Sequence, residues 1–332
     1  AALLCSLAVI NIQLAHFYRP EPFLVLLALG SFWFMLNTIT FNRWRDHLML
    51  GAVIGLSFSV KASSAQLLAP LAITYGLLLW QGRISNRSFI STLTNSYLLR
   101  RALTAGLLAL AVFALTQPYA LLDFQKFIGD IAWEGNIASS AGKVPYTIQY
   151  IGTVPGWYEL RQTSLWALGL PLGILAWAGL LLTILNARYK PKPADLLFLS
   201  WVIPSLLLVF SFEVKFLRYI APVLPVMILF GSNWLIALCR QSERMGHKLA
   251  KSIALFLMLA VIVPTGFYAL AFVSSYAKPH PAVQASDWIN AVVPEGSKIQ
   301  EQATGWNSNC LLYTSAAADE RSSVDLGGRR II

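Results

Sequence analysis

Apolar runs long enough to cross a bilayer recur along this chain, near residues 1–14, 22–41, 102–118, 164–186, 194–211, 219–239 and 250–273. A bilayer core supplies no water to backbone N–H and C=O groups, so segments of about 20 apolar residues can cross it only as helices that close their own hydrogen bonds. The stretch 47–81 is also apolar but is interrupted by Lys61-Ala62-Ser63-Ser64. It reads as two short spans or a re-entrant pair, the first piece being about 14 residues or about 21 Å long. The expected fold is therefore an all-α polytopic membrane protein with about nine membrane segments.

Composition agrees with that class and excludes others. Hydrophobic residues make up 57% of the chain and charged residues 12%, with a mean hydropathy of +0.61, far from the balance of a soluble domain. The net charge of +10 does not point to nucleic acid, because the basic residues are dispersed among short loops. Alternating the spans sorts these loops into two sets. One holds thirteen Lys and Arg, from Arg43 and Arg45 through Arg100 and Arg101 to Lys248 and Lys251; the other holds nine over a greater length of chain. The first set is cytoplasmic by the positive-inside rule and the second faces outward. Most carboxylates fall in the outer set, including Glu21, Asp130, Glu134, Glu159 and Glu213. Cys5, Cys239 and Cys310 form neither a disulfide framework nor a metal-binding spacing.

Two outer segments are expected to fold beyond the spans. In the long loop between Gln117 and Gln162, Phe124, Phe127, Ile128 and Ile131 recur at helical spacing, with Lys126, Asp130 and Glu134 on other faces and Gly135 as a stop. This predicts an amphipathic helix in the outer interface, followed by an aromatic belt of Tyr146, Tyr150, Trp157 and Tyr158. After the last span, 282–293 predicts a helix, and Pro294-Glu295-Gly296-Ser297 a turn into Lys298-Ile299, as at the start of an outer α/β domain. The expected organisation is a membrane core over 1–273, the beginning of an extracytoplasmic domain over 274–309, and a tail over 310–332. That tail resembles a translated sequencing adapter and is expected to lie outside the native fold, and the chain is expected to lack the parent protein's N-terminus.

Candidate chemistry gathers at the outer surface. His16-Phe17-Tyr18-Arg19-Pro20-Glu21-Pro22 puts an imidazole, a guanidinium and a carboxylate between two spans, where the alternative is a solvated turn. Pro20 and Pro22 suit a helix entrance, and a carboxylate there is favoured in its ionised form. Glu21 is thus a candidate base or divalent-cation ligand, and His16 a second candidate catalytic group. Lys61 either snorkels to the interface or offers a point charge to a phosphate. Lys215, Arg218 and Tyr219, in a tight outer turn ahead of Pro222 and Pro225, suit a lipid-linked phosphate and equally suit ordinary headgroup contacts. No Walker glycine loop, HExxH pair or nucleophile elbow is present, which disfavours an ATP-driven pump or an intramembrane metalloprotease.

Four short motifs occur in an ordered series: His16…Arg19-Pro20-Glu21, Gly51…Gly55-Leu56…Val60-Lys61-Ala62-Ser63, Gln117-Pro118-Tyr119-Ala120-Leu121-Leu122-Asp123, and Lys215-Phe216-Leu217-Arg218-Tyr219…Pro222…Leu224-Pro225. The series resembles the C-superfamily (GT-C) membrane glycosyltransferases, within these the group of dolichyl-phosphate-mannose protein mannosyltransferases, aminoarabinose transferases and RgtA/B/C/D-like enzymes. The resemblance implies transfer of a sugar from a polyprenyl-phosphate donor to a lipid, glycan or protein acceptor at the outer face of a plasma or inner membrane. It further implies that Glu21 corresponds to the second acidic loop residue, near a divalent cation (Mg or Mn) in members that use one. Lys61 and Arg218 would be cations near the donor phosphate, with Arg19, Lys215 and Tyr219 as further substrate contacts. No nucleotide or redox cofactor and no nucleic-acid partner are implied. The family's principal catalytic Asp lies upstream of residue 1, so the sequence as it stands is expected to be catalytically incomplete. A transporter or lipid-carrier flippase, which predicts charges deep inside spans and internal repeats, and a non-catalytic assembly protein are the competing classes.

Overall fold

The computed structural model describes residues 1–84, 96–246 and 248–294. The expected turn at Pro294–Ser297 and strand start at Lys298-Ile299 fall almost wholly outside these residues, and the tail over 310–332 falls wholly outside them. Among the described residues the regular structure is helical, without strands.

The helices follow from their end signals. The run at the start divides into α1 (Ala2–Leu7) and α2 (Val9–His16) because Ala8 is extended, with ψ 117°. Helix α3 (Glu21–Phe41) carries proline in its first turn, where a missing N–H costs nothing, and stops at Asn42 in the left-handed region, φ 47°. Helix α4 (Trp44–Val60) ends at the extended Lys61, and a 3-10 turn over Ala62–Leu67 leads into α5 (Leu68–Ile84). The chain continues through α6 (Ser96–Thr116), the short α7 (Tyr119–Leu122), α8 (Phe124–Ser139) and α9 (Trp157–Gln162). Next come α10 (Leu170–Tyr189), α11 (Pro193–Ser211), the one-turn α12 (Leu217–Ile220), α13 (Leu224–Met245), α14 (Lys248–Ser274) and α15 (Pro281–Val292).

Seven segments among the described residues have the length and hydropathy of membrane spans, against the nine expected. Both differences have a local cause. The first run is broken at Ala8, and α4, at 17 residues, is about 26 Å long, short of a bilayer's hydrocarbon thickness of about 30 Å. The run expected from residue 164 also starts later: Thr163–Ala167 forms a π turn, Gly169 adopts φ 80°, and the span proper begins at Leu170. The chain is thus a multi-pass membrane protein of all-α class.

By contact it divides into two compact units, Ala1–Ser140 with Thr153–Ala269, and Ala141–Gly152 with Leu270–Ile332. In the first, Phe32, Met35, Leu172, Leu197, Leu224 and Met227 are fully buried in a common core. In the second, Gly142 N–H donates to Thr147 Oγ1 at 3.0 Å, and His280 Nδ1 accepts from Ala282 N–H at 3.1 Å to cap α15.

Small residues decide how closely the helices of the first unit approach. Lipid tails are as apolar as leucine, so membrane helices associate through close backbone packing rather than expulsion of water. A side chain at Gly51 or Gly55 of α4 would strike the Ala105 or Ala109 carbonyl of α6, and one at Gly179 of α10 would strike the Gly231 backbone of α13. Gly231→Leu is accordingly expected to separate α10 from α13 and lower the thermal midpoint, read by intrinsic fluorescence in detergent, whereas Gly76→Leu, with no neighbour near its Cβ position, should leave it nearly unchanged. Equal effects of the two substitutions would contradict this packing.

A polar knot ties the far end of α3. His47 Nε2 lies 2.9 Å from Asn42 Oδ1 and its Nδ1 lies 3.1 Å from Tyr75 Oη, while Arg101 donates to the carbonyl and side-chain oxygens of Asn42 and to Tyr97 Oη. Arg101, read from the sequence as one more topology-setting loop cation, is only 5% exposed and acts as a clamp between α6 and the α3–α4 corner.

Candidate active site

The His16–Pro22 cluster begins as a helix stop. Arg19 N–H bonds Leu14 C=O and Tyr18 N–H bonds Ala15 C=O, the paired pattern of a Schellman motif, with Tyr18 in the left-handed position at φ 49°. Pro20 then forbids further continuation of α2 and opens α3 with Glu21 as its first residue. This geometry turns Arg19 and Glu21 toward a common cavity and leaves His16 behind. The His16 ring packs edge-on against Phe17 at 5.4 Å and is not among the residues lining the cavity.

Glu21 is 2% exposed, and its Oε1 receives Lys61 Nζ at 2.6 Å. Its other oxygen, Oε2, is buried with no hydrogen-bond partner. Lys61 reaches it from the break between α4 and the 3-10 turn, where extended backbone frees the side chain from the helix surface. A buried carboxylate needs such a cation, since an unpaired charge out of water costs several kcal/mol.

The third wall comes from the loop after α11. Arg218 lies in the one-turn α12, its guanidinium 4.7 Å from the Phe216 ring centre and 5.6 Å from that of Tyr219. Aromatic stacking holds the cation without neutralising it, so among the described residues Arg218 keeps its charge for a ligand. Lys215, expected beside it, is placed otherwise. It is 3% exposed, donates to Glu159 Oε1 at 2.9 Å and to Phe212 C=O at 2.8 Å, and does not line the cavity. Glu159 Oε2 in turn accepts from Gly156 N–H at 2.8 Å, completing the N-terminal cap of α9. The sequence showed Glu159 and Lys215 as separate loop charges; their pairing across 56 residues is a tertiary contact that no spacing signals.

Helix α8 closes the cavity. Asp123 caps it, accepting from Lys126 N–H at 3.3 Å, and the helix runs through Gly135 to Ser139. Gly135 does not end it because the last turn is anchored: Ile137 and Ala138 are buried and the Ala138 carbonyl accepts from Val214 N–H at 3.0 Å. Phe127, Asp130, Ile131, Glu134 and Ala138 all line the cavity. Asp130 and Glu134 had been expected on faces away from the apolar stripe. At 3.6 residues per turn they lie beside Phe127 and Ile131, so one face is both apolar and acidic. Asp130 is paired with Lys126 at 3.0 Å, and that hydrogen bond raises the lysine pKa above its ordinary value.

The cavity, about 680 Å³, thus carries Arg19, Lys61 and Arg218 together with Glu21, Asp130 and Glu134, on a lining that also includes Phe58, Leu208 and Phe212. It suits a ligand with an apolar tail and a charged head. Residues 1–116 match the family model for dolichyl-phosphate-mannose-protein mannosyltransferase. The match supports a membrane glycosyltransferase of the GT-C type, in agreement with the apolar helices and with the resemblance read from the motifs. It takes in the segment from α1 to α6, hence Arg19, Glu21 and Lys61, whereas Glu134 and Arg218 lie beyond it. No curated protein and no solved structure matches the chain.

The resemblance read from the motifs implies a divalent cation, and the described residues alone do not assemble a ligand set for one. No three His, Cys, Asp or Glu side chains gather as ligands among them, and Glu21 offers one free oxygen beside an ammonium, where Mg or Mn takes about six ligands.

Proposed function

We propose that the chain is the membrane core of a glycosyltransferase that moves a sugar from a polyprenyl-phosphate donor to an acceptor at the outer face of the membrane. The observation that carries this reading is the meeting of Glu21, Lys61 and Arg218, from three distant parts of the chain, in one cavity with apolar walls. The distribution of basic loops supports the outward orientation.

The chemistry is displacement at the anomeric carbon. The acceptor oxygen forms a bond to C1 as the bond from C1 to the phosphate oxygen breaks, and the polyprenyl phosphate departs with the electron pair. Charge growing on that phosphate is stabilised by Arg19, Lys61 and Arg218, the cations that line the cavity. The acceptor proton passes to a carboxylate. Glu21, which lines the cavity and has one carboxylate oxygen without a hydrogen-bond partner, is a described residue able to take it. The lipid carries the phosphate leaving group, so neither nucleotide nor redox cofactor enters the reading.

The direct test is binding of undecaprenyl phosphate and of undecaprenol to the full chain in nanodiscs, read by native mass spectrometry. The phosphate form is expected to bind at least about tenfold more tightly, the worth of one good charge-assisted contact. Equal retention of the two lipids would overturn the donor assignment.

A further inference from the structure

The ion pair between Lys215 and Glu159 is buried beside the cavity, and neither residue lines it. Removing two charges from water is costly, and apolar residues of similar volume often stabilise a fold as well or better. What a fully bonded pair adds to apolar packing is direction, because each group must meet its partners along its hydrogen bonds. Here the bonds converge on the segment 212–215. Lys215 Nζ donates to Glu159 Oε1 and to Phe212 C=O, while Glu159 Oε2 accepts from Gly156 N–H at the start of α9. Between them Val214, fully buried, donates its N–H to Ala138 C=O at the end of α8. The segment is thus tied to α8 and α9 at once. From it the restraint reaches Arg218 through rings: Phe212 and Phe216 both pack edge-on against Tyr219, at 5.7 and 5.6 Å, and the Arg218 guanidinium lies over Phe216 and Tyr219. Ala138, Phe212, Arg218 and Tyr219 all line the cavity.

We infer that Glu159 and Lys215 are positioning residues for the donor phosphate, their buried pair fixing the loop that presents Arg218 to the cavity; this rests on the transferase reading above. A pair outside the cavity acts on a ligand only through the geometry of the groups that line it. A guanidinium grips a phosphate best in a planar, two-bonded orientation. Arg218 has no carboxylate within salt-bridge distance among the described residues to set that orientation. The two rings set it instead, and the backbone at 212–216 sets the rings. Loss of the pair leaves the Arg218 charge in place and releases its direction, so a phosphate is held less well although no group that touches it has changed.

Each single substitution strands a buried charge, so the test uses Lys215→Met together with Glu159→Gln in the full chain in nanodiscs. This double variant is expected to unfold near the wild-type midpoint, while hydrogen exchange at amides 213–219 rises by about tenfold and exchange in α10 does not change. Undecaprenyl phosphate, followed by native mass spectrometry, should bind it about fivefold more weakly, with undecaprenol unaffected. In an Arg218→Ala background the same two substitutions should alter phosphate binding by less than about twofold, because the group they position is gone. Glu159→Asp, which keeps both charges and shortens the link by one methylene, is the second variant and should show the same changes at smaller size. A merely structural pair predicts equal losses of binding with and without Arg218, or none in either background, and each of these results overturns the inference, as does wild-type exchange at 213–219 in both variants. Phosphate binding unaffected by Arg218→Ala alone would sink the donor reading instead, and exchange at 213–219 would still decide whether the pair fixes the loop.

Discussion

Arg218→Ala is expected to weaken undecaprenyl phosphate binding by about 10- to 150-fold while leaving the thermal midpoint close to that of the wild type. The magnitude follows from losing hydrogen bonds to a charged group, worth about 1.5–3 kcal/mol. The small effect on stability follows from Arg218 being held by two aromatic rings rather than by a carboxylate that its loss would strand. Lys61→Met should behave differently. It removes a phosphate contact, but it also leaves Glu21, 2% exposed, with both carboxylate oxygens unpaired, so binding and stability should fall together. Adding Glu21→Gln to Lys61→Met should recover much of the stability without restoring binding. Native mass spectrometry for the lipid and fluorescence-detected unfolding for the fold separate the two losses. Binding undiminished in Arg218→Ala would show that the phosphate lies elsewhere.

The largest stability effect is expected at Lys215. Its ion pair with Glu159 has side chains 1% and 3% exposed, so Lys215→Met strands a buried carboxylate at a cost of about 3–5 kcal/mol. Replacing both partners, Lys215→Met with Glu159→Gln, removes both charges and should return most of that loss, because neither member is then left uncompensated. Glu159→Gln keeps an oxygen to accept from Gly156 N–H, so the cap of α9 survives. Unfolding midpoints of the two single variants and the double variant form the test. Additive losses, with the double variant worse than either single one, would mean that the two side chains do not act as a pair. The same series reports on function: Lys215 also holds the Phe212 carbonyl, at the start of the loop that leads to Arg218, so the loop that presents the guanidinium should loosen with it. Loosening of that loop would make Lys215 a positioning residue, where the sequence had suggested a phosphate contact.

That reassignment shows where sequence reasoning stops. The spans were legible because bilayer thickness imposes a length, and length and hydropathy are properties of consecutive residues. Helix ends were legible where a local signal carried them, as at Pro20-Glu21-Pro22, and illegible where tertiary support overrode the signal, as at Gly135. The break at Ala8 and the π turn over Thr163–Ala167 ahead of Gly169 are irregularities inside apolar runs that hydropathy does not register.

Within the site, the ordered motifs singled out Glu21, Lys61 and Arg218, all three of which line the cavity, as do Arg19 and Tyr219. They did not separate these from Lys215 or His16, and they missed the acidic face of α8. The helical period placing Asp130 and Glu134 beside Phe127 was present in the sequence, and reading the helix only for its apolar stripe concealed it.

Hydropathy and end signals, read along the chain, therefore settled the all-α membrane class, the approximate spans and a short set of ionisable residues at one surface. Which of those residues remain available to a ligand was settled in space. Lys61 meets Glu21 across 40 positions and Lys215 meets Glu159 across 56, while Arg218 stacks on the aromatic faces of Phe216 and Tyr219. Removing a charge from water is costly enough that each buried ion must take the opposite charge, or like Arg101 the acceptor oxygens, that the packed helices bring within reach. Packing at Gly51, Gly55, Gly179 and Gly231 sets how closely those helices approach, and no stretch of consecutive residues contains that information.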